Sequence, residues 1–229
     1  MGTISIDRAI KGSQGDRVIG VLMYKVIVFD FDGTLVDSNS IKQDGFYRVV
    51  EGDIEGVKLM ASVLSHVGGD RRDIFEAYVA ERQCDPISRS IEVEKLVEEY
   101  NSIVDKAISC APEMPGASAL LDKLFISGCK LVLSSATPFS NLIWIIERRG
   151  WQRYFESIYG GPANKINTLE QLLVESSGLV NTLAVVGDGV DDYHSAAAVG
   201  CAFFPVGEAR GANKLERIYS LFELQHVLL

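Results

Sequence analysis

Two aspartates, Asp30 and Asp32, stand two residues apart in the string DFDGT, directly after the apolar run Tyr24–Phe29. At the end of a strand, that spacing projects both carboxylates to one side. Carboxylates held so close need a cation or a shared proton to offset their repulsion. One can then attack as a nucleophile while the other moves a proton. A second acidic turn, GDGVDD, follows AVVG and carries Asp188, Asp191 and Asp192. Hard oxygen donors of this kind suit Mg²⁺, which binds through one or two carboxylates together with waters and a substrate phosphate. The string SSAT places Ser134, Ser135 and Thr137 after another apolar run and ahead of a helix starting near Pro138. Hydroxyls and backbone N–H groups at such a junction can cradle an anion. Lys165 follows the Gly160–Gly161–Pro162 turn and opens a further helix, where the dipole favours negative charge, so a cation there points to an anionic neighbour. Each feature also has a plainer reading. Asp-Gly is an ordinary turn, Ser, Thr and Asp cap helices, and a lone lysine is usually solvated.

What lifts these strings above their plainer readings is where the chain would put them. Tyr24–Phe29, Lys130–Leu133, Ser157–Tyr159, Thr182–Val186 and Ala202–Val206 read as short buried strands. Helices are expected at Gly116–Ser127, Asn141–Arg149, Ile166–Ser176 and Tyr193–Val199. Strands alternating with helices predict an α/β fold, a doubly wound parallel sheet of the Rossmann-like kind. Ligands of such sheets bind beyond the carboxyl ends of the strands, so DFDGT, SSAT and GDGVDD would converge on one site. Residues 41–109 interrupt this alternation with helix-period segments at Asp53–His66, Asp73–Cys84 and Ile91–Ser109. The last of these places Val93, Leu96, Val97, Tyr100, Ile103 and Val104 on one stripe. The division expected is an N-terminal extension over 1–22, a core over 23–38 and 112–229, and an all-helical cap inserted at 39–111. Met23, directly before the first strand, could be the natural start.

The bulk composition narrows the choice of partners. With 229 residues, 47% hydrophobic and 23% charged, the chain has the make-up of an ordinary globular protein. A net charge of −9, from 22 basic and 31 acidic residues, argues against a nucleic-acid surface or an anionic membrane as partner. No apolar run reaches the length of a membrane span. Cys84, Cys110, Cys129 and Cys201 form no CxxC pair and read as buried free thiols in a reducing, cytoplasmic setting.

Taken in order, the four clusters resemble the haloacid dehalogenase superfamily of phosphohydrolases. DFDGTLVDS at 30–38 matches its first motif, LVLSSAT its second through Ser135, Lys165 its third and GDGVDD its fourth. The resemblance runs from Tyr24 to Val206. The cap's position is similar to that in the branch containing phosphoglycolate phosphatase and β-phosphoglucomutase. PEMPGASALLDKL at 112–124 resembles that branch's return from cap to core.

The resemblance implies an Mg²⁺-dependent phosphatase acting on a small phosphorylated metabolite through an aspartyl-phosphate, with a phosphomutase as the alternative. Asp30 would be the nucleophile and Asp32 the acid and base. Asp30, the Asp32 carbonyl, Asp188 and Asp192 would hold the metal, with Asp191 as runner-up to Asp192. Ser135 and Lys165 would clamp the phosphoryl oxygens, helped by backbone N–H groups around Phe31 and Ala136. The presence of Asp32 favours C–O–P chemistry over dehalogenation. VGGDRRDIF at 67–75 resembles the cap specificity loop, so Arg71 would contact the variable part of the substrate. Lys42 falls where the mutase has a substrate-reading histidine, and a homodimer through the cap is a further expectation.

Overall fold

The structure, a computed structural model, describes residues 24–82, 85–176, 178–207 and 219–229. Five parallel strands form one sheet: β1 (Val26–Phe29), β2 (Lys130–Pro138), β3 (Phe155–Gly161), β4 (Leu183–Gly187) and β5 (Ala202–Pro205). Their spatial order is β3-β2-β1-β4-β5, so β1 is central and pairs with both β2 and β4. All four of its residues are buried, as expected of a strand covered on both faces. Ile27 and Phe29 face one apolar cluster, while Val26 and Val28 face the other. The second cluster is closed by Leu169 and Leu172 of α7 (Lys165–Glu175) and Ala196 of α8 (Val190–Val199). Helices α5 (Ala117–Ser127), α6 (Phe139–Arg149) and α9 (Leu221–Val227) contribute to the first.

The predicted strands all form, with one instructive change of boundary. The expected end of β2 was Leu133, where the apolar run stops, with the hydroxyl residues in a turn beyond it. β2 instead continues to Pro138, with its pairing to β3 shifting register between Ser134 and Pro138. Ser134, Ser135 and Thr137 are buried within that irregular end. The Ser135 and Thr137 hydroxyls meet Asp32 inside the site, so polarity does not end the strand. The sequence reading also missed α9, whose start carries a capping box between Ser220 and Glu223.

Between β1 and α5 the chain is helical: α1 (Asn39–Val49), α2 (Ile54–His66), α3 (Arg71–Ala80) and α4 (Pro86–Cys110). Asp53, Asp70 and Asp85 cap the last three, each accepting backbone N–H groups of the first turn. Asp70 starts α3 at Arg71 rather than Asp73. Asp85 and the favoured first-position Pro86 start α4 before Ile91. Val93, Leu96, Tyr100 and Val104 of the expected stripe are buried, joined by Ile108. Phe46 of α1, Phe75 of α3 and Tyr100 of α4 meet ring to ring, with centroids 4.6 to 5.8 Å apart.

Residues 1–23, with the expected extension and the possible start at Met23, and Cys84 lie outside the described residues. Cys129 is buried and Cys201 half-buried, but Cys110 is exposed, contrary to expectation. It is the last residue of α4, where the chain leaves the helix and its packing stripe. Among the described residues, no helix is long and apolar enough to cross a membrane.

Candidate active site

Central β1 ends at Phe29, and the next residue is Asp30, so the carboxylate emerges in the middle of the sheet's carboxyl edge. Neighbouring β4 delivers Asp188 one residue past its own end. Asp192 follows in the first turn of α8, where its carboxylate accepts from the Gly189 N–H at 3.1 Å. One oxygen each from Asp30, Asp188 and Asp192 lie within 4.8 Å of one another, and all three residues are buried. Asp191 is the outer residue of the pair: its side chain is 64% exposed against 3% for Asp192, and it stands outside this group.

The turn between β1 and α1 holds Asp188 in place. Thr34 Oγ1 donates to Asp188 Oδ1 at 3.1 Å and approaches Asp30 Oδ2 at 3.4 Å. Asn39 Nδ2 donates to Asp188 Oδ2 at 3.0 Å. This closeness depends on Gly33, which has φ +77° and lies where a β-carbon would collide with both Asn39 and Asp188. Sequence reading passed over Thr34, Ser38 and Asn39, although the first two lie inside the DFDGTLVDS string.

Lys165 opens α7, whose N-cap is Asn164, and its ammonium reaches into the carboxylates. It lies 2.9 Å from Asp30 Oδ1, 2.6 Å from Asp192 Oδ1 and 2.7 Å from Asp191 Oδ2. Burial raises the Asp30 carboxyl; Lys165 opposes this and the neighbouring Asp188 and Asp32 reinforce it, leaving the group at about 6. Asp192 is pushed well above the usual range by burial and by Asp30, despite Lys165. Burial disfavours the charged form of Lys165, but Asp30, Asp192 and Asp191 outweigh it and hold its proton firmly. One cation thus faces three acids, and the surplus of buried negative charge suits a hard divalent cation. The donor set is all oxygen, which fits Mg²⁺ rather than a metal favouring nitrogen or sulfur.

Asp32 has a separate set of partners. Ser38 Oγ donates to its Oδ1 at 2.7 Å, and Thr137 Oγ1 to its Oδ2 at 2.9 Å. Ser135 Oγ lies 3.4 Å from Oδ2 and accepts the Thr137 N–H at 3.1 Å. Lys42 Nζ completes the shell at 2.6 Å from Oδ2. Burial alone would raise the Asp32 carboxyl, but Lys42, Ser38 and Thr137 together hold it below its ordinary value. This changes the place of Lys42. α1 carries it, from the position where the resemblance expects a substrate-reading residue, down onto the second aspartate, and it also lines the adjoining cavity.

Arg71 begins α3 and turns toward the sheet, donating to Asn101 Oδ1 at 2.5 Å and to the Ala136 carbonyl at 3.4 Å. Its guanidinium also lies 5.9 Å from the Tyr100 ring centroid. Phe31 is fully buried directly after Asp30, and Ala136 stands exposed at the end of β2. Asp30, Asp32, Ser135, Lys165, Asp188 and Asp192 line one pocket, and Lys42 and Ala136 are shared between it and an adjoining cavity that includes Arg71.

The sequence model for haloacid dehalogenase-like hydrolases matches residues 27–206, and the chain belongs to that family of hydrolases. Among solved structures, it is similar to a protein from Haemophilus somnus assigned as a phosphoglycolate phosphatase. That match has TM-score 0.72 and 17% identity, covering 92% of this chain and 100% of the other. A haloacid dehalogenase-like hydrolase from Streptococcus pneumoniae superposes with TM-score 0.64 and 19% identity, covering 90% and 99%. A protein from Thermotoga maritima assigned as a β-phosphoglucomutase does so with TM-score 0.68 and 18% identity, covering 89% and 98%. At such identities the likeness is one of fold. A search of curated proteins finds none that matches.

Proposed function

We propose that the chain is an Mg²⁺-dependent phosphatase that hydrolyses a small phosphorylated metabolite through an aspartyl-phosphate on Asp30. The observation that carries this reading is the meeting of buried Asp30 with Asp188, Asp192 and Lys165, beside a buried Asp32 that has its own separate partners. Phosphoryl transfer asks chiefly for positioning and for neutralisation of oxygen charge, and this site is built from those two things. Structures assigned as phosphatases among the similar folds agree with it.

Asp30, Asp188 and Asp192, with the Asp32 carbonyl, would hold the metal, which when bound neutralises phosphoryl oxygens. Asp30 attacks phosphorus, forming the aspartyl oxygen–phosphorus bond as the bond to the leaving oxygen breaks. Asp32 gives its proton to that oxygen. Water then attacks the phosphorus, Asp32 takes its proton, and the Asp30 carboxylate is released with inorganic phosphate. Lys165, Ser135 and backbone N–H groups near Phe31 and Ala136 balance charge on the transferred group. Helices α1–α4 act as a cap over the leaving group, with Arg71 directed toward it. Hydrolysis of p-nitrophenyl phosphate with and without Mg²⁺ tests the proposal: metal-dependent release of phosphate is the expected result, and inactivity with Mg²⁺ overturns it.

A further inference from the structure

Beside the phosphoryl pocket lies a cavity of about 560 Å³ lined by Phe46, Arg71, Tyr100 and Asp105, and joined to that pocket through shared Lys42 and Ala136. If the pocket transfers phosphoryl groups as proposed above, this cavity holds the leaving group. Asp105 was not singled out by the sequence, where it is one acid on a long helix. Asn101 and Asp105 are one turn apart on α4 and so share a face. Asn101 anchors Arg71, and Asn141 of α6 donates to Asp105 Oδ2. Asp105 Oδ1 has no hydrogen-bond partner among the described residues, and Arg71 forms no ion pair among them. The cavity therefore presents an acid and a cation that are fixed by amides rather than by each other.

That arrangement discriminates between classes of leaving group. A carboxylate-bearing one would gain from Arg71 but meet Asp105, with Asp70 and Asp191 in the same lining, while Lys42, the other cation there, is drawn onto Asp32. A hydroxylated group meets no such conflict. One hydroxyl can donate to Asp105, another can accept from Arg71, and the carbon skeleton can lie against Phe46 and Tyr100. The geometry points to a phosphorylated polyol or sugar as the substrate class, with Asp105 the residue that reads a hydroxyl and disfavours carboxylate-bearing esters.

The test compares kcat/KM of the Mg²⁺-loaded protein for ribose 5-phosphate, glycerol 3-phosphate, 2-phosphoglycolate and phosphoethanolamine. The best hydroxylated ester is expected to exceed 2-phosphoglycolate by about tenfold or more, the scale of one hydrogen bond to a charged acceptor. Asp105→Ala should collapse that ratio. Asp105→Asn, which keeps an acceptor oxygen without the charge, should retain part of the polyol activity and gain on 2-phosphoglycolate. A ratio unchanged in Asp105→Ala makes Asp105 only a tether for Asn141 and overturns the inference. So does a wild-type preference for 2-phosphoglycolate or phosphoethanolamine. Failure of the wild type on p-nitrophenyl phosphate would instead sink the phosphatase reading. The sugar class would then be judged by thermal protection: ribose 5-phosphate should protect the wild type but not Asp105→Ala, and equal protection of both overturns it.

Discussion

Lys42 on α1 places its ammonium 2.6 Å from Oδ2 of Asp32, in the turn that follows β1. The contact joins the first helix of the proposed cap to the second aspartate of the motif. It favours the ionised form of Asp32, the form that takes a proton from water, so the proton given to the leaving oxygen is held against the pull of Lys42. If Lys42 served only the variable part of the substrate, its loss would matter for some esters and not for others.

Lys42→Met is therefore expected to lower kcat/KM by a similar factor on every phosphomonoester, p-nitrophenyl phosphate included. The expected loss is about 10- to 100-fold, less than the roughly 10²- to 10⁴-fold that a positioned acid–base group supplies, because Asp32 itself remains. A loss confined to one substrate would return Lys42 to substrate reading.

The three clustered acids make a prediction about metal and pH. In the metal-free folded protein the Asp30 carboxyl sits at about 6 against an ordinary 3.8, because burial outweighs the help from Lys165. A raised acid contributes nothing to stability while both states are protonated, below about pH 4. It destabilises progressively between about pH 4 and 6, and costs about 3 kcal/mol in full above that. A cation that binds the ionised form removes this cost. Mg²⁺ should then raise Tm little at pH 5 and clearly at pH 7.5, and Asp188→Ala should lose most of the increase. No Mg²⁺-dependent change in Tm at pH 7.5 would contradict the metal assignment.

Gly33 supplies a stability test that is also a test of the site. Its φ of +77° disfavours any residue with a β-carbon, and the added atom would strike Asn39 and Asp188. Gly33→Ala should cost about 1–2 kcal/mol from the backbone alone, and more from the collision. Scanning calorimetry would show the lower Tm. Activity measured well below that Tm should fall too, because the displaced Asp188 belongs to the metal group.

Arg149 makes the opposite kind of prediction, stability without chemistry. Its Nη2 donates to the carbonyls of Ile108 and Ala111, both at 2.6 Å, and so closes the end of α4 from α6. The guanidinium also lies 5.4 Å from the Trp151 ring centroid. Arg149→Ala should cost about 2 kcal/mol in urea unfolding. Arg149→Lys should recover little of it, since an ammonium is shorter in reach and lacks the planar group that lies over the Trp151 ring. Full stability in the alanine variant would show that the cap contributes nothing.

Much of this was legible in the sequence, and for identifiable reasons. Asp30, Asp32 and Asp188 could be placed because each follows a short apolar strand, and a parallel sheet brings such strand ends together. The choice of Asp192 over Asp191 could not be made from adjacency; it depends on which side of α8 faces Asp30. The end of β2 was misjudged because apolar content was read as the strand's limit, whereas Thr137 is extended and buried against Asp32. Lys42 was marked only by the resemblance, with no sign of its contact to Asp32, and Asp105 had no local signal. Their positions are set by how α1 and α4 pack over the sheet, a tertiary fact that spacing along the chain does not encode.

A covalent bond from Asp30 to phosphorus is the centre of the proposed mechanism, and trapping that bond tests it most directly. Asp32→Asn keeps the nucleophile but weakens the attack of water, so it should accumulate phosphoryl-enzyme when mixed with Mg²⁺ and an activated ester such as p-nitrophenyl phosphate. Rapid acid quench and peptide mass spectrometry should find one added phosphoryl group on the peptide containing Asp30. Asp30→Asn should carry none and should not turn over. Hydrolysis by Asp30→Asn at a rate near wild type would contradict the mechanism, as would a phosphoryl group found on any other residue.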